Sequence, residues 1–190
     1  MTSNRIPLKV LLVGDSGVGK TTIRRKLVGL SADSKLESTI GIEVDYFKFN
    51  LDNIQLNFLL FDIGGQKHYS NLRSAYYDGS HLVMFVYDVT KPHTLFDLID
   101  WMNEVKTSIK NYYTNYMLIG NKIDLEIKIN EAHLKHLMME SERIGIKISD
   151  TLLVSAQTGE KINDLFKKIV KLSILSLINS RRKVKSIAFL

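Results

Sequence analysis

The chain has no cysteine in 190 residues, two prolines, one tryptophan, and no apolar run near the roughly 20 residues that cross a bilayer. Without a thiol, this sequence offers no disulfide, no Cys-ligated metal and no prenylation or palmitoylation site, though either redox compartment stays open. Proline is scarce, and there is no Gly/Ser-rich stretch, internal repeat or low-complexity tract. A linker is therefore not expected, and the length suits one domain. Residues 1–7 lack the long apolar core of a secretory signal, and Thr2 stands where N-myristoylation needs a glycine. A cytoplasmic protein is the simple expectation.

What is present is enough apolar content for a substantial core, 45%, and a formal net charge of +6. Much of that charge lies near the C-terminus, in Lys167, Lys168, Lys171 and the run Arg181-Arg182-Lys183-Val184-Lys185. Such a run either complements the negative end of a last helix or touches an anionic membrane weakly. A solvated helix end is the commoner case, and no nucleic acid is expected.

The element pattern alternates. Residues 8–13 read as a buried strand and 19–28 as a helix, while 30–41 are polar and read as a loop. Residues 42–51 and 54–61 flank Asp52-Asn53 as an antiparallel hairpin. Further strands are expected at 82–87, 116–120 and 151–154. Helices are expected from Pro92 through Val105, over 130–143 and over 162–178, with Trp101 packing beside the apolar stripe of the first. Strands alternating with helices imply a parallel sheet covered on both faces, and the hairpin arm makes it mixed. In such sheets ligands sit outside the carboxyl ends of the strands.

The motifs fall at those ends. Gly14-Asp15-Ser16-Gly17-Val18-Gly19-Lys20-Thr21 is GxxxxGK[ST] between a strand and a helix. Its glycines let successive N–H groups and the helix N-terminus face one phosphate. Lys20 brings a compact positive charge to the outer phosphates, Thr21 a hydroxyl for magnesium, and Thr22 joins the nucleotide-binding residues. Asp62, closing the hairpin's second strand, offers magnesium a carboxylate. Gly65 offers the terminal phosphate an unobstructed N–H, and Gln66 an amide that can orient a water. Thr39, in the polar loop, can reach both magnesium and the terminal phosphate.

Asn121-Lys122-Ile123-Asp124 names the base. The Asp124 carboxylate only accepts hydrogen bonds, which suits the adjacent N1–H and N2–H2 of guanine. The Lys122 stem can lie over the ring, and the Asn121 amide can tie this turn to the phosphate loop. Ser155-Ala156-Gln157 follows the next strand, where the Ala156 N–H can donate to guanine O6. His133 and His136 share a helix face but lack a third ligand, so a surface role is expected.

With these residues in this order, residues 8–172 resemble the Ras superfamily of small GTPases, and most closely the Rab family. The Rab-like stretches are Thr39-Ile40-Gly41-Ile42-Glu43, Gly65-Gln66-Lys67-His68-Tyr69, residues 72–81, Val86-Tyr87-Asp88-Val89-Thr90 and residues 154–159. Gly64-Gly65-Gln66 is closer to the Arf pattern. The resemblance implies a three-layer P-loop NTPase G domain: a six-stranded mixed sheet with about five helices over residues 8–178, an N-terminal extension 1–7 and a basic tail 179–190. It also implies GTP and GDP as ligands, Mg2+, and slow hydrolysis of GTP in trafficking or signalling. Effectors, exchange factors and GTPase-activating proteins would read two switch loops, about 32–42 and 64–78, of a monomer; with no cysteine in the sequence, the family's usual lipid anchor is not expected. Ala32 stands where the family has an aromatic against the base, which implies looser nucleotide. Val44 replaces a phenylalanine that Rabs use toward effectors. No arginine lies between Ser31 and Arg73, so an activating partner is expected to supply one. The rival reading is a guanine-nucleotide-responsive scaffold with little hydrolysis.

Overall fold

A computed structural model describes residues 5–29, 35–39, 42–52, 54–64, 73–110 and 113–187, with the backbone alone for 35–39 and 182–187. Its centre is β1 (Arg5–Val13). Leu8, Val10 and Leu12 enter one core layer while Leu11 and Val13 enter another. Successive side chains of a strand point to opposite faces, so the stretch of a strand with both faces covered is a near-continuous apolar run. β5 (Leu82–Asp88) is buried at every residue for the same reason. Each fully buried Leu or Val contributes about 1.5–3 kcal/mol.

Around β1 lie α1 (Lys20–Gly29), β2 (Lys35–Thr39), β3 (Ile42–Leu51) and β4 (Ile54–Ile63). After β5 come α2 (Pro92–Phe96), α3 (Leu98–Ser108), β6 (Asn115–Asn121), α4 (Glu131–Ile144), β7 (Ile148–Val154) and α5 (Ile162–Ile187). The sheet order is β2-β3-β4-β1-β5-β6-β7. β3 runs antiparallel to both β2 and β4, and every other neighbouring pair is parallel. Ile23 and Leu27 of α1 join Leu165 and Ile169 of α5 on one face. Leu95 of α2, Leu98, Met102 and Val105 of α3 and Leu137 of α4 cover the other. The helices that follow β1 and β5 thus leave the sheet on opposite sides, and a crevice opens between those strand ends.

The six strands expected from the sequence are all present, and a seventh joins them. β2 lies within residues 30–41, read as a loop, and pairs Lys35–Thr39 with Tyr46–Ile42. An edge strand need not alternate apolar and polar residues, so hydrophobic periodicity gave no signal for it. The expected helix from Pro92 is broken at Asp97 into α2 and α3. β7 starts three residues early, at Ile148, because its first half is polar edge strand. β1 pairs with β4 from Arg5 opposite Gln55, inside the expected extension 1–7, and α5 continues to Ile187, inside the expected tail 179–190.

Candidate functional site

The parallel strands β4, β1, β5, β6 and β7 deliver Asp62, Gly14, Asp88, Asn121 and Ser155 to one end of the sheet. Leaving β1, the chain turns sharply at Gly14, where an added Cβ would lie 2.2 Å from the Val86 carbonyl oxygen of β5. Val18, wholly buried, pins the loop in the core, and the Ile23 N–H donates to the Gly19 carbonyl at 3.0 Å to start α1. Ser16, Gly17 and Thr22 are exposed.

Lys20 folds back over the loop and donates to the Gly14 and Asp15 carbonyls, both at 2.7 Å. Burial pulls its pKa down to about 8, against the opposing pull of Asp62 and Asp15. At neutral pH the ammonium therefore keeps its proton, poorly hydrated and held by carbonyls that an anionic phosphate can replace.

Thr21 donates its hydroxyl to Asp62. A hydroxyl and a carboxylate meeting beside the loop form a small, hard oxygen set, of the kind magnesium takes alongside water and phosphate oxygens. Among the described residues no three His, Asp or Glu side chains form a larger cage. Thr39 ends β2 opposite Ile42, which brings its backbone to the edge of the hairpin arm. Gly65, Gln66, His68 and Ala32 lie outside the described residues. His133 and His136 both present edges to Phe96, at 5.5 and 5.8 Å between centroids, so their role is packing between α2 and α4.

Asn121 is the joint of the site. Its Nδ2 donates to the Val18 carbonyl at 2.9 Å, and its Oδ1 accepts the Ala156 N–H at 3.0 Å. One buried amide thereby locks the phosphate loop to the turns after β6 and β7. The Ala156 N–H, expected to face guanine O6, is engaged by this amide. Ser155 donates its hydroxyl to the exposed Asp124 carboxylate and accepts the Thr158 N–H at 3.1 Å. Gln157 is exposed beside it. Lys122, at φ +74°, stretches its stem so that its ammonium meets the Gly17 carbonyl at 2.8 Å and Asp88 at 2.6 Å. Burial works to raise the Asp88 pKa, but hydrogen bonds from Lys122 and Thr90 outweigh it and hold it below the usual carboxylate range.

Four further side chains contribute that no nucleotide-binding motif contains. Asp88 anchors Lys122 from the end of β5, and a carboxylate closing a wholly buried strand was the available sign. Trp101 donates its indole N–H to Asp15 at 2.8 Å and carries the Arg73 guanidinium over its ring at 4.4 Å. A buried indole needs an acceptor, which was the clue. Arg73 is itself clamped by Glu104 at 2.9 and 2.8 Å. Arg24, wholly buried among carboxylates, stood out as a charge within the apolar stripe of α1.

These arrangements define a phosphate loop facing a base-side pair of turns across a mixed sheet. The sequence model of the Ras family matches residues 9–174. The Ras-related protein Rab-18-B of Danio rerio is 32% identical over 170 residues, covering 86% of this chain and 78% of that protein. RABC2a of Arabidopsis thaliana is 34% identical over 165 residues (86% and 76%), and SEC4 of Saccharomyces cerevisiae 29% over 177 (93% and 79%). The chain belongs to the Ras family and is a Rab-like small GTPase, a switch that binds GTP or GDP with magnesium, hydrolyses GTP and works through regulator and effector proteins. Among the described residues no helix is long and apolar enough to cross a membrane.

Proposed function

We propose that Asp124 selects guanine, that the N–H groups of residues 14–19 with Lys20, Thr21 and Thr22 hold the phosphates, and that Gln66 orients the attacking water. The observation that carries this reading is the pair of hydrogen bonds that Asn121 makes, one to Val18 and one from Ala156, which makes one rigid frame of the phosphate loop and both base-side turns. Within it Asp124 keeps one carboxylate oxygen on Ser155 and has acceptor capacity left for two adjacent N–H donors. Gln157 flanks the base. The Lys122 stem spans from β6 toward Gly17 and offers an apolar wall to the ring.

For hydrolysis, Gln66 accepts from and donates to a water placed in line with the γ-phosphorus, while the Gly65 N–H faces the terminal phosphate. Lys20 leaves the Gly14 and Asp15 carbonyls and follows charge onto the leaving oxygens. Thr21, Thr39 and Asp62 would hold magnesium, which supplies positive charge to the phosphate oxygens when bound. Arg73 is committed to Glu104, and Arg24 to Glu43 and Asp45. Neither is placed to act as an arginine finger, which supports slow unaided turnover accelerated by a partner's arginine.

The exposed Arg181 and the basic residues after it support a weak peripheral contact of a monomeric, cytoplasmic protein with anionic membranes, in keeping with a trafficking role. Single-turnover hydrolysis of bound GTP tests the catalytic reading. Wild type should turn over slowly and Gln66→Leu at least about tenfold more slowly, with GTP affinity preserved. Equal rates would remove Gln66 from catalysis and favour a scaffold that merely responds to nucleotide.

A further inference from the structure

Arg24 lies one helical turn after Lys20 and is the largest side chain in the wholly buried interior. Its Nη2 meets Glu43, its Nη1 is 3.2 Å from Asp45, and its Nε is 4.0 Å from Asp62 Oδ2. Asp45 and Asp62 are 2% and 6% exposed, so two of the three carboxylates are nearly as dry as the guanidinium. Glu43 and Asp62 are also directly opposite one another in the β3–β4 ladder. Like charges in that position repel and need a cation between them. The guanidinium Nε, like Nη1, makes no hydrogen bond, and it is Nε that faces Asp62. Buried donors are seldom left in this state, and a short swing would let it reach the Asp62 oxygen that Thr21 already contacts.

We propose that Arg24 is an internal counter-ion that competes with magnesium for Asp62, and that Asp45 and Glu43 set the strength of the competition by drawing the guanidinium toward β3. It is a positioning residue, acting through Asp62 and touching neither nucleotide nor metal. Thr21 already orients the Asp62 carboxylate, so what Arg24 controls is the charge the metal meets. In water such a competitor would be screened to insignificance, but at a dry site its weight is several times greater. The free magnesium concentration at which nucleotide is retained is thus written partly into α1 and β3, away from the phosphate loop. The inference rests on the reading that Thr21 and Asp62 hold magnesium.

The test uses the full chain loaded with a fluorescent GDP analogue. Its release into excess GDP is followed over a series of buffered free magnesium concentrations, and thermal melting in chelator reports folding. Asp45→Asn frees the guanidinium toward Asp62 and should raise the magnesium midpoint about fivefold. Arg24→Met with Asp45→Val removes the pair while keeping apolar volume, a replacement buried ion pairs often tolerate, and should lower the midpoint by a similar factor. If the double variant does not melt cooperatively, Asp45→Asn decides the question by itself. Asp62→Asn is the control and should abolish the magnesium dependence. Should it do so while folded Asp45→Asn stays within about twofold of wild type, the counter-ion role is refuted and the metal site stands. Should wild-type release ignore magnesium, or Asp62→Asn keep the dependence, the metal site itself is wrong and the inference falls with it.

Discussion

Trp101 donates its indole N–H to Asp15 across 2.8 Å, fastening α3 to the phosphate loop. The same ring supports Arg73, whose guanidinium also donates to the Gly64 carbonyl at 3.3 Å, so one side chain braces both the loop and the chain just after β4. Trp101→Phe preserves an aromatic surface for Arg73 and removes only the donor. A hydrogen bond to a charged acceptor contributes about 1.5–3 kcal/mol, and the partly exposed Asp15 recovers some of that from water. The melting temperature should therefore fall by a few degrees, and calorimetric titration should show GDP affinity lower by up to roughly tenfold. An affinity unchanged by the substitution would make the contact a packing detail. As the one tryptophan of the chain, Trp101 also gives a fluorescence signal specific to this joint.

The parts of the site that could be read from the sequence are those where local chain geometry and function coincide. Gly14 to Thr21 follow a strand whose last four residues are buried and open a helix, so their spacing has a mechanical meaning before any folding is considered. Asn121 closes β6, buried over its last five residues, and Ser155 follows the short apolar run that ends β7, and strand ends are what hydrophobic runs locate best. Trp101, Asp88 and Arg24 act through partners 86, 34 and 19 residues away, and no local pattern encodes such pairings. β2 failed for a different reason: an edge strand is stabilised by its ladder to β3, and polar side chains serve there as well as apolar ones.

Asp124→Asn should exchange one base for another. The amide keeps the length of the carboxylate but sets a donor where guanine also offers donors, leaving an N–H without an acceptor. Sites built around such bonds discriminate strongly, so GDP affinity should fall at least about a hundredfold, while xanthosine diphosphate, with an oxygen at position 2, binds better than to wild type. Competition between the two nucleotides against a fluorescent analogue reads both changes. Unchanged preference would indicate that Asp124 faces away from the base.

His81 makes the fold sensitive to mild acid. Its Nδ1 accepts the Lys9 backbone N–H at 3.1 Å, and its own backbone exchanges hydrogen bonds with Lys9 in the middle of β1 and Asn115 at the start of β6. Burial, reinforced by the Lys9 charge, holds its pKa below the usual 6.5. The unfolded chain therefore takes up the proton first as pH falls through 6.5, and stability drops until the folded-state value is passed, then levels. Urea unfolding at about pH 7.5 and pH 5.5 should show a lower midpoint at the acid end. His81→Asn retains an acceptor that does not titrate, and its midpoint should move less between the two conditions.

Gly19 and Gly17 separate backbone strain from contact in the phosphate loop. Both have positive φ, +100° and +79°, but a Cβ at Gly17 meets open space, whereas one at Gly19 would lie 2.2 Å from Asn121 Nδ2. Gly17→Ala should therefore cost only the left-handed conformation, about 1–2 kcal/mol. Gly19→Ala pays that strain and in addition drives out an amide bonded to both Val18 and Ala156, so it should lose at least about twice as much and bind GDP poorly. Adding Asn121→Ala removes the clash. Stability of the Gly19→Ala/Asn121→Ala protein should then exceed the sum expected from the two single changes, because neighbours in contact are not additive. GDP binding should not return, since the frame between phosphate loop and base-side turns is still missing. Chemical denaturation of the four proteins of the cycle, with GDP titration of each, measures both quantities. Strict additivity would mean that Asn121 makes no structural bridge at Gly19.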